Sequence, residues 1–428
     1  MLKISYFARV HNKLHVTYQV DDKDFEAVFC YYHTVDFDDL EKRFGLEFME
    51  RLYFHIIAFE ATKFQSVSLR GIDWGVFNKY ATNEFTHFWH TITYAVWTQW
   101  RYENNLPNYK QPVFAVSNNH YEATTNKKEN IETLMFVGGG KDSLLAMDLL
   151  ERSHIPYDTF AYSHINYGPS QLMLIDELID NFGPTAHYDM SITGTKTEGN
   201  MLVETIGSIF NAIPYALQNG YRYFALAHEK SAEREQLTWD VTGEKVNHQW
   251  GKSFGTEQII NQYIQTQLVS NLTCFSPIRP VHDVVIFNMI RGHPAVKDTH
   301  SCNISKPWCG QCPKCAYVWI NYKAYDVGSF ALDMKQNKET FLQLLGLKGH
   351  VPFECVGHKE ETQLAFAVCN KREFLKQKLD LNVQETIDVY TIVDRRVELM
   401  PNYHRNKIVP LLEQGALDAR KFLISIFD

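Results

Sequence analysis

Three consecutive glycines, Gly138, Gly139 and Gly140, separate the apolar run Thr133 to Val137 from a second apolar stretch, Leu144 to Leu150, and Lys141-Asp142-Ser143 completes the junction. No other feature of the 428 residues constrains the chain as much, because the order reads as strand, tight loop and helix. Glycines admit positive φ and let backbone approach an anion closely, while free amides at a helix start supply hydrogen bonds and partial positive charge. The segment therefore predicts a pyrophosphate cradle and the use of ATP. A Walker loop would need GxxxxGK followed by Ser or Thr, which the chain lacks. The alternative is a glycine-rich turn ahead of an ordinary helix.

Composition narrows the class. Hydrophobic residues at 45% and charged residues at 21% are those of a globular protein. The formal charge of -8 gives no general attraction to nucleic acid. Residues Met1 to Phe7 hold only a short apolar stretch broken by Lys3, so no signal peptide is expected. No apolar run approaches the roughly 20 residues that span a bilayer. The expectation is a cytoplasmic protein with neither membrane nor nucleic-acid partner. Its eight cysteines fit that compartment, four clustered and the rest scattered.

Three regions follow along the chain. Residues 1–127 read as an aromatic-rich α+β domain, with alternating segments at Leu14–Val20 and Phe25–Phe29. Phe85, Trp89, Ile92, Val96 and Trp100 share one helical face and are read as core. Residues 128–326 alternate strand and helix, as a doubly wound, mainly parallel α/β sheet requires. Strands are predicted near Tyr157–Ser163, His187–Met190 and Arg222–Ala227, and helices over Gln171–Asn181 and Asn200–Gln218. Ligands lie beyond the carboxyl ends of parallel strands, so Gly138–Ser143, Ser163–Asn166 and His228–Ser231 are expected to converge. Residues 327–428 read as a helical region, for example at Phe341–Leu345 and Phe374–Leu379, with the apolar turn Val351–Gly357 between them.

Cys302, Cys309, Cys312 and Cys315 lie within one short loop. Four thiolates can close a tetrahedral, structural zinc site; the competing reading is a redox dithiol, since CxxC pairs also exchange disulfides.

The hexapeptide Gly138–Ser143 resembles the SGGxDS loop of the PP-loop (N-type) ATP pyrophosphatases, with Gly138 where that family has serine. The resemblance implies a PP-loop (HUP-like) domain that splits ATP between the α and β phosphates. Gly139, Gly140 and Ser143 would hold pyrophosphate, Lys141 would neutralise phosphate charge, and Asp142 would face Mg2+. The cysteine loop resembles that of the 7-deazaguanine (preQ0) synthases, which belong to the same superfamily. Further stretches resemble one member of it, the ATP-dependent UDP-MurNAc-L-Ala-L-Glu epimerases (MurL type): Ala227–Ala232, Val246–Phe254, Ser276–Pro280, the cysteine loop and Pro352–Gly357. That likeness covers roughly residues 131–361 and implies a peptide or small-molecule substrate ending in glutamate. Its carboxylate would be adenylated, its α-carbon inverted, and the acyl-AMP hydrolysed.

Individual roles carry alternatives. His248 and Lys252 are read as base and as phosphate or carboxylate ligand, or as surface loop residues. Glu229 and Lys230 follow a predicted strand and suit nucleotide or magnesium contact, as do Ser163 and His164. Arg279 would clamp a carboxylate, or pair with a structural acid. Glu354 and Cys355 are candidates for proton transfer, with packing the ordinary role of a cysteine in an apolar turn. Two other functions share the loop: an amide- or nitrile-forming ligase of the deazaguanine type, and a nucleotide-binding subunit without turnover.

Overall fold

The computed structural model describes residues 1–32, 35–67, 70–127, 130–164, 170–196, 203–370 and 379–428. Among these the strands are β1 (Leu2–Val10), β2 (Lys13–Val20), β3 (Lys23–Tyr31), β4 (Ile72–Asp73), β5 (Thr133–Phe136), β6 (Tyr157–Ser163), β7 (His187–Gly194), β8 (Tyr223–Ala225), β9 (Leu237–Thr238), β10 (Lys245–Val246) and β11 (Thr273–Phe275). One nine-stranded sheet runs β11-β8-β5-β6-β7-β3-β2-β1-β4, and β9 and β10 form a separate ribbon. From β11 to β7 every pairing is parallel. From β7 through β3 and β2 to β1 it is antiparallel, and β4 returns parallel to β1.

Strand alternation sorts side chains to the two faces. Leu134, Phe160, Phe224 and Cys274 feed one core, while Met135, Ala161, Ala225 and Phe275 feed the other. Each large apolar side chain so buried contributes about 1.5–3 kcal/mol, so it is the repeated alternation rather than any one residue that holds the layers. The first core joins helix Glu204–Asn219 to helix Leu46–Glu60 and the aromatic stripe. Phe85, Trp89, Ile92 and Val96 are buried in helix Asn83–Val96, and Trp100 follows, buried, in helix Thr98–Glu103. The second core gathers helices Lys141–Arg152, Asp283–Met289, Pro313–Tyr325, Lys359–Val368 and Asn402–Phe427.

β3 pairs with β7 from Ala27↔Gly194 to Tyr31↔Met190, so the N-terminal meander continues the parallel strands as one sheet. Gly194 has φ +133, and a Cβ there would sit 2.1 Å from the Glu26 carbonyl oxygen, so this join requires glycine. The predicted C-terminal helix near Phe341 spans Lys338–Leu344. Residues 374–378 of the other predicted helix lie outside the described residues, as do residues 165–166 and 200–202. Among the described residues no helix is long and apolar enough to cross a membrane.

Candidate active site

The chain leaves β5 outward through β6 and β7, then returns to β5's other side as β8 and β11. The strand order reverses at β5, and ligands of open α/β sheets bind where it does so, beyond the carboxyl ends of the strands. The glycines occupy that point. Gly139 has φ +83, and Gly140 caps helix Lys141–Arg152 without a capping side chain, leaving first-turn amides open to an anion. The Gly138 amide donates to Ser143 Oγ at 3.0 Å. His300 and Ser301 pack against the loop: the His300 amide donates to the Gly139 carbonyl at 2.8 Å. A Cβ on Gly139 would meet His300 Nε2 at 2.2 Å, and one on Gly140 would meet Ser301 Oγ at 2.8 Å.

In front of the loop lies a cavity of about 280 Å³. Gly138, Gly140, Asp142 and Ser143 form one side of its wall; Lys252, Lys306, Lys314 and Cys355 also line it, as do His228 and His300. Burial raises the Asp142 carboxyl to about 6, Lys141 opposes that shift, and Glu229 and Asp283 add to it. Glu229 is 4% exposed and its Oε2 has no hydrogen-bond partner among the described residues. A carboxyl at the wall and a second, unsatisfied one near it are a donor set that accepts a divalent cation.

Lys141 sits elsewhere than expected. Its ammonium is 1% exposed, off the cavity wall, and bonds Asp142 Oδ1 at 2.5 Å and Asp283 Oδ1 at 2.6 Å. Tyr317 donates to the other Asp283 oxygen at 2.7 Å. Two carboxylates satisfy the buried ammonium, so Lys141 fixes Asp142 in place instead of reaching for phosphate.

Lys252 and Cys355 meet at the wall, Nζ to Sγ 3.8 Å. Burial pushes the Cys355 thiol up, but Lys252, a hydrogen bond and charge from His248, and Lys314 outweigh it and bring the pKa to about 5. Burial likewise works against the Lys252 charge, and Cys355, Glu229 and Asp142 hold its pKa above the ordinary value. Lys314 also donates to the Cys355 carbonyl. A thiolate in an electropositive pocket is a nucleophile or base, whereas a cysteine serving only to pack would carry a raised pKa. His248 is not on the wall; it stands behind Cys355, with Nδ1 2.8 Å from Gln99 Oε1.

Several expected site residues face away from the cavity. Ser163 and His164 are buried at the end of β6, and His164 Nε2 lies 3.4 Å from Glu60. Lys230 pairs with Asp394 of the C-terminal region. Arg279, 4% exposed, spends its terminal nitrogens on the Glu229 carbonyl at 3.1 Å, the Lys252 carbonyl at 2.5 Å and Glu257 at 2.5 Å. It braces two site residues and does not clamp a ligand. Glu354 accepts from Asn303 and is likewise absent from the wall.

The four cysteine sulfurs lie within 4.8 Å of one another, with Cys302–Cys312 and Cys309–Cys315 both at 3.8 Å. Four zinc–sulfur bonds of about 2.3 Å in a tetrahedron imply sulfurs roughly 3.8 Å apart. Backbone amides of Ile304 and Ser305 point at Cys302 Sγ, each at 3.3 Å, and those of Gln311 and Cys312 at Cys309 Sγ, at 3.4 and 3.3 Å. These donors favour thiolates, so the residues present fit a metal ion. The knot follows directly on His300-Ser301, and Cys312 caps helix Pro313–Tyr325, which carries Lys314 and Tyr317. It thereby fixes one wall of the cavity.

Sequence reasoning placed His228 at the site, where it lines the cavity, but missed Gln99, Asp283, His300, Lys306, Lys314 and Tyr317. Lys314 and His300-Ser301 adjoin the cysteine cluster, a signal that was available; Gln99 and Asp283 had none.

Comparison with known proteins gives a consistent picture. Residues 197–277 match the family model described as MurL N-terminal domain, and residues 297–390 that described as MurL C-terminal domain. Proteins named UDP-N-acetyl-alpha-D-muramoyl-L-alanyl-L-glutamate epimerase are similar in Micromonospora (25% identity over 268 residues, 57% of this chain) and in Salinispora tropica (27% over 265 residues, 56% of this chain). Another, in Xanthomonas oryzae pv. oryzae, is 27% identical over 307 residues, 65% of this chain. The matched stretches span 58%, 56% and 66% of the relatives' own lengths. By family models and relatives alike, the chain is similar to the MurL epimerases, and the matched residues include Lys252, the cysteine knot and Cys355.

Proposed function

We propose that the protein is an ATP-dependent epimerase acting on a peptide-linked terminal L-glutamate, such as UDP-MurNAc-L-Ala-L-Glu, in the cytoplasm. The observation that carries this reading is the joining, in one cavity, of a helix-capping glycine loop and a cysteine set against Lys252 and Lys314. The first suits carboxylate activation and the second suits proton transfer.

The chemistry follows from charge. An α-hydrogen beside an ionised carboxylate resists removal, because the carbanion would form next to negative charge. Joining that carboxylate to AMP neutralises it and turns it into an electron-withdrawing carbonyl. Gly138–Gly140 and the amides behind Ser143 would hold the departing pyrophosphate, as PP-loop enzymes do. Asp142, with Glu229 near it, would hold Mg2+, which when bound supplies positive charge against the phosphates. Cys355 takes the α-proton, Lys252 stabilises the negative charge beside it, and a proton returns on the other face. Water then releases the epimer and AMP. Lys306 lines the cavity together with Glu204, whose charge acts on it, and its ammonium is suited to a second substrate carboxylate. The four cysteines would hold a structural zinc ion that cross-links the wall and takes no part in proton transfer.

The test is incubation with ATP, magnesium and a glutamate-terminated substrate in deuterated water. Equimolar AMP and pyrophosphate with one α-deuterium in the product support the proposal. An amide or nitrile product, or AMP without deuterium, overturns it. Cys355→Ser should retain AMP formation and lose deuterium incorporation by about 10²-fold or more.

A further inference from the structure

Gln99 lies in the N-terminal region, outside both matched family models. Its Oε1 is 2.8 Å from His248 Nδ1, and its Nε2 donates to Glu103 Oε1 at 3.2 Å. The second contact settles the first. With the amide nitrogen committed to a carboxylate, the oxygen faces His248, and an oxygen there can only accept. His248 Nδ1 must therefore carry a proton. The ring's remaining nitrogen is left for Cys355, and the two side chains act on each other, the thiol raising the histidine and the imidazole lowering the cysteine.

The placement is built. Gln99 belongs to helix Thr98–Glu103, whose Arg101 is 0% exposed and forks onto Glu244, NH1 to Oε2 at 3.0 Å and NH2 to Oε1 at 2.8 Å. Glu244 immediately precedes β10, which leads into His248. A bidentate pair thus fixes the helix against the ribbon four residues before the imidazole.

We propose that Gln99 is a positioning residue that completes a Cys355–His248–Gln99 relay, holding the imidazole protonated at Nδ1 and aimed at Cys355 so that the sulfur stands in the cavity as a thiolate. In some enzymes that use a thiolate, cysteine, histidine and a side-chain amide stand in this order of contact. The relay deepens the proposed epimerase and rests on it for its purpose, though not for its geometry. Other charged groups also act on the sulfur: Lys252, Lys314 and Lys306 favour the thiolate, Glu354 and Glu204 oppose it.

The test reads the thiolate without turnover. Full-length protein is alkylated with iodoacetamide from about pH 4 to about pH 9, and the Cys355 peptide is followed by mass mapping. In Gln99→Leu the inflection should rise by about one pH unit, and the rate near pH 6 should fall about tenfold. Gln99→Glu, which retains an acceptor, should keep the inflection at or below the wild-type value. An unmoved inflection in a folded Gln99→Leu protein overturns the relay. Independently of any variant, nitrogen NMR of wild-type His248 near neutral pH should show Nδ1 protonated, and a bare Nδ1 overturns the relay as well. Because alkylation needs no ATP, a shifted inflection in a protein that makes no AMP would leave the relay standing and remove the adenylation reading.

Discussion

Glu361 is 0% exposed, with one oxygen accepting from Ser231 Oγ at 2.9 Å and the other from the His358 amide at 2.7 Å. Burial and the neighbouring Asp283 raise its pKa to about 8, against the smaller opposing effects of those hydrogen bonds and Lys141. Lys141 satisfies Asp283, and among the described residues no Lys or Arg pairs with Glu361, so the carboxyl stays protonated up to about pH 8. The sign follows from linkage. A raised acid contributes its full stability below the unfolded value near 4.5 and loses it as pH rises through about 8, because the folded state holds a proton the unfolded chain has released. Glu361→Gln preserves the neutral form and its donor. Between about pH 6 and about pH 9 the variant should gain on the order of 1–2 kcal/mol relative to wild type, read from urea melts at each pH. Parallel pH profiles would show that Glu361 is ionised in the folded protein. At this scale the sequence carried residue types better than directions. Lys141, Lys230, Arg279 and His164 were singled out for charge next to motif positions, and the fold turns each toward a buried or partly buried acid. Cys355, flanked by apolar residues in the sequence, gains its chemistry from lysines 252 and 314, which no local pattern ties to it.

At the scale of elements, the glycine loop was legible because strand, loop and helix adjoin in sequence. What the sequence did not show is what packs behind the loop. His300 fills the space beside Gly139, and its segment is set by the cysteine knot that begins at Cys302. Loop and knot therefore act as one unit. Gly139→Ala meets two obstacles, a φ of +83 and an imidazole 2.2 Å from the new Cβ. The strain is worth about 1–3 kcal/mol, relieved only by pushing His300-Ser301 off the loop. The expected outcome is a lower melting temperature together with loss of AMP formation and looser amide-exchange protection over residues 300–315. Unchanged protection there, with activity lost, would show that loop and knot are independent.

Across the whole molecule, short-range pattern identified β2, β3, β5, β6, β7 and β8 but could not show that β3 pairs with β7. That pairing joins residues more than 150 positions apart, and strand propensity says nothing about partners. Its consequence reaches the site, because the same N-terminal region delivers Gln99 to His248 and Glu60 to His164. Removing it would leave β7 as a bare edge and expose Ile206, Phe210 and Ile213, which helix Leu46–Glu60 and its neighbours cover. A truncation to residues 130–428 keeps the glycine loop, the cysteine knot and Cys355, every motif first legible in the sequence. It should nevertheless lack a cooperative thermal transition by calorimetry and should aggregate through the β7 edge. A truncated protein that melts cooperatively within about 5 °C of the full chain would show that the parallel strands fold on their own. The N-terminal region would then be a covering layer that reaches the chemistry through the Gln99 contact with His248.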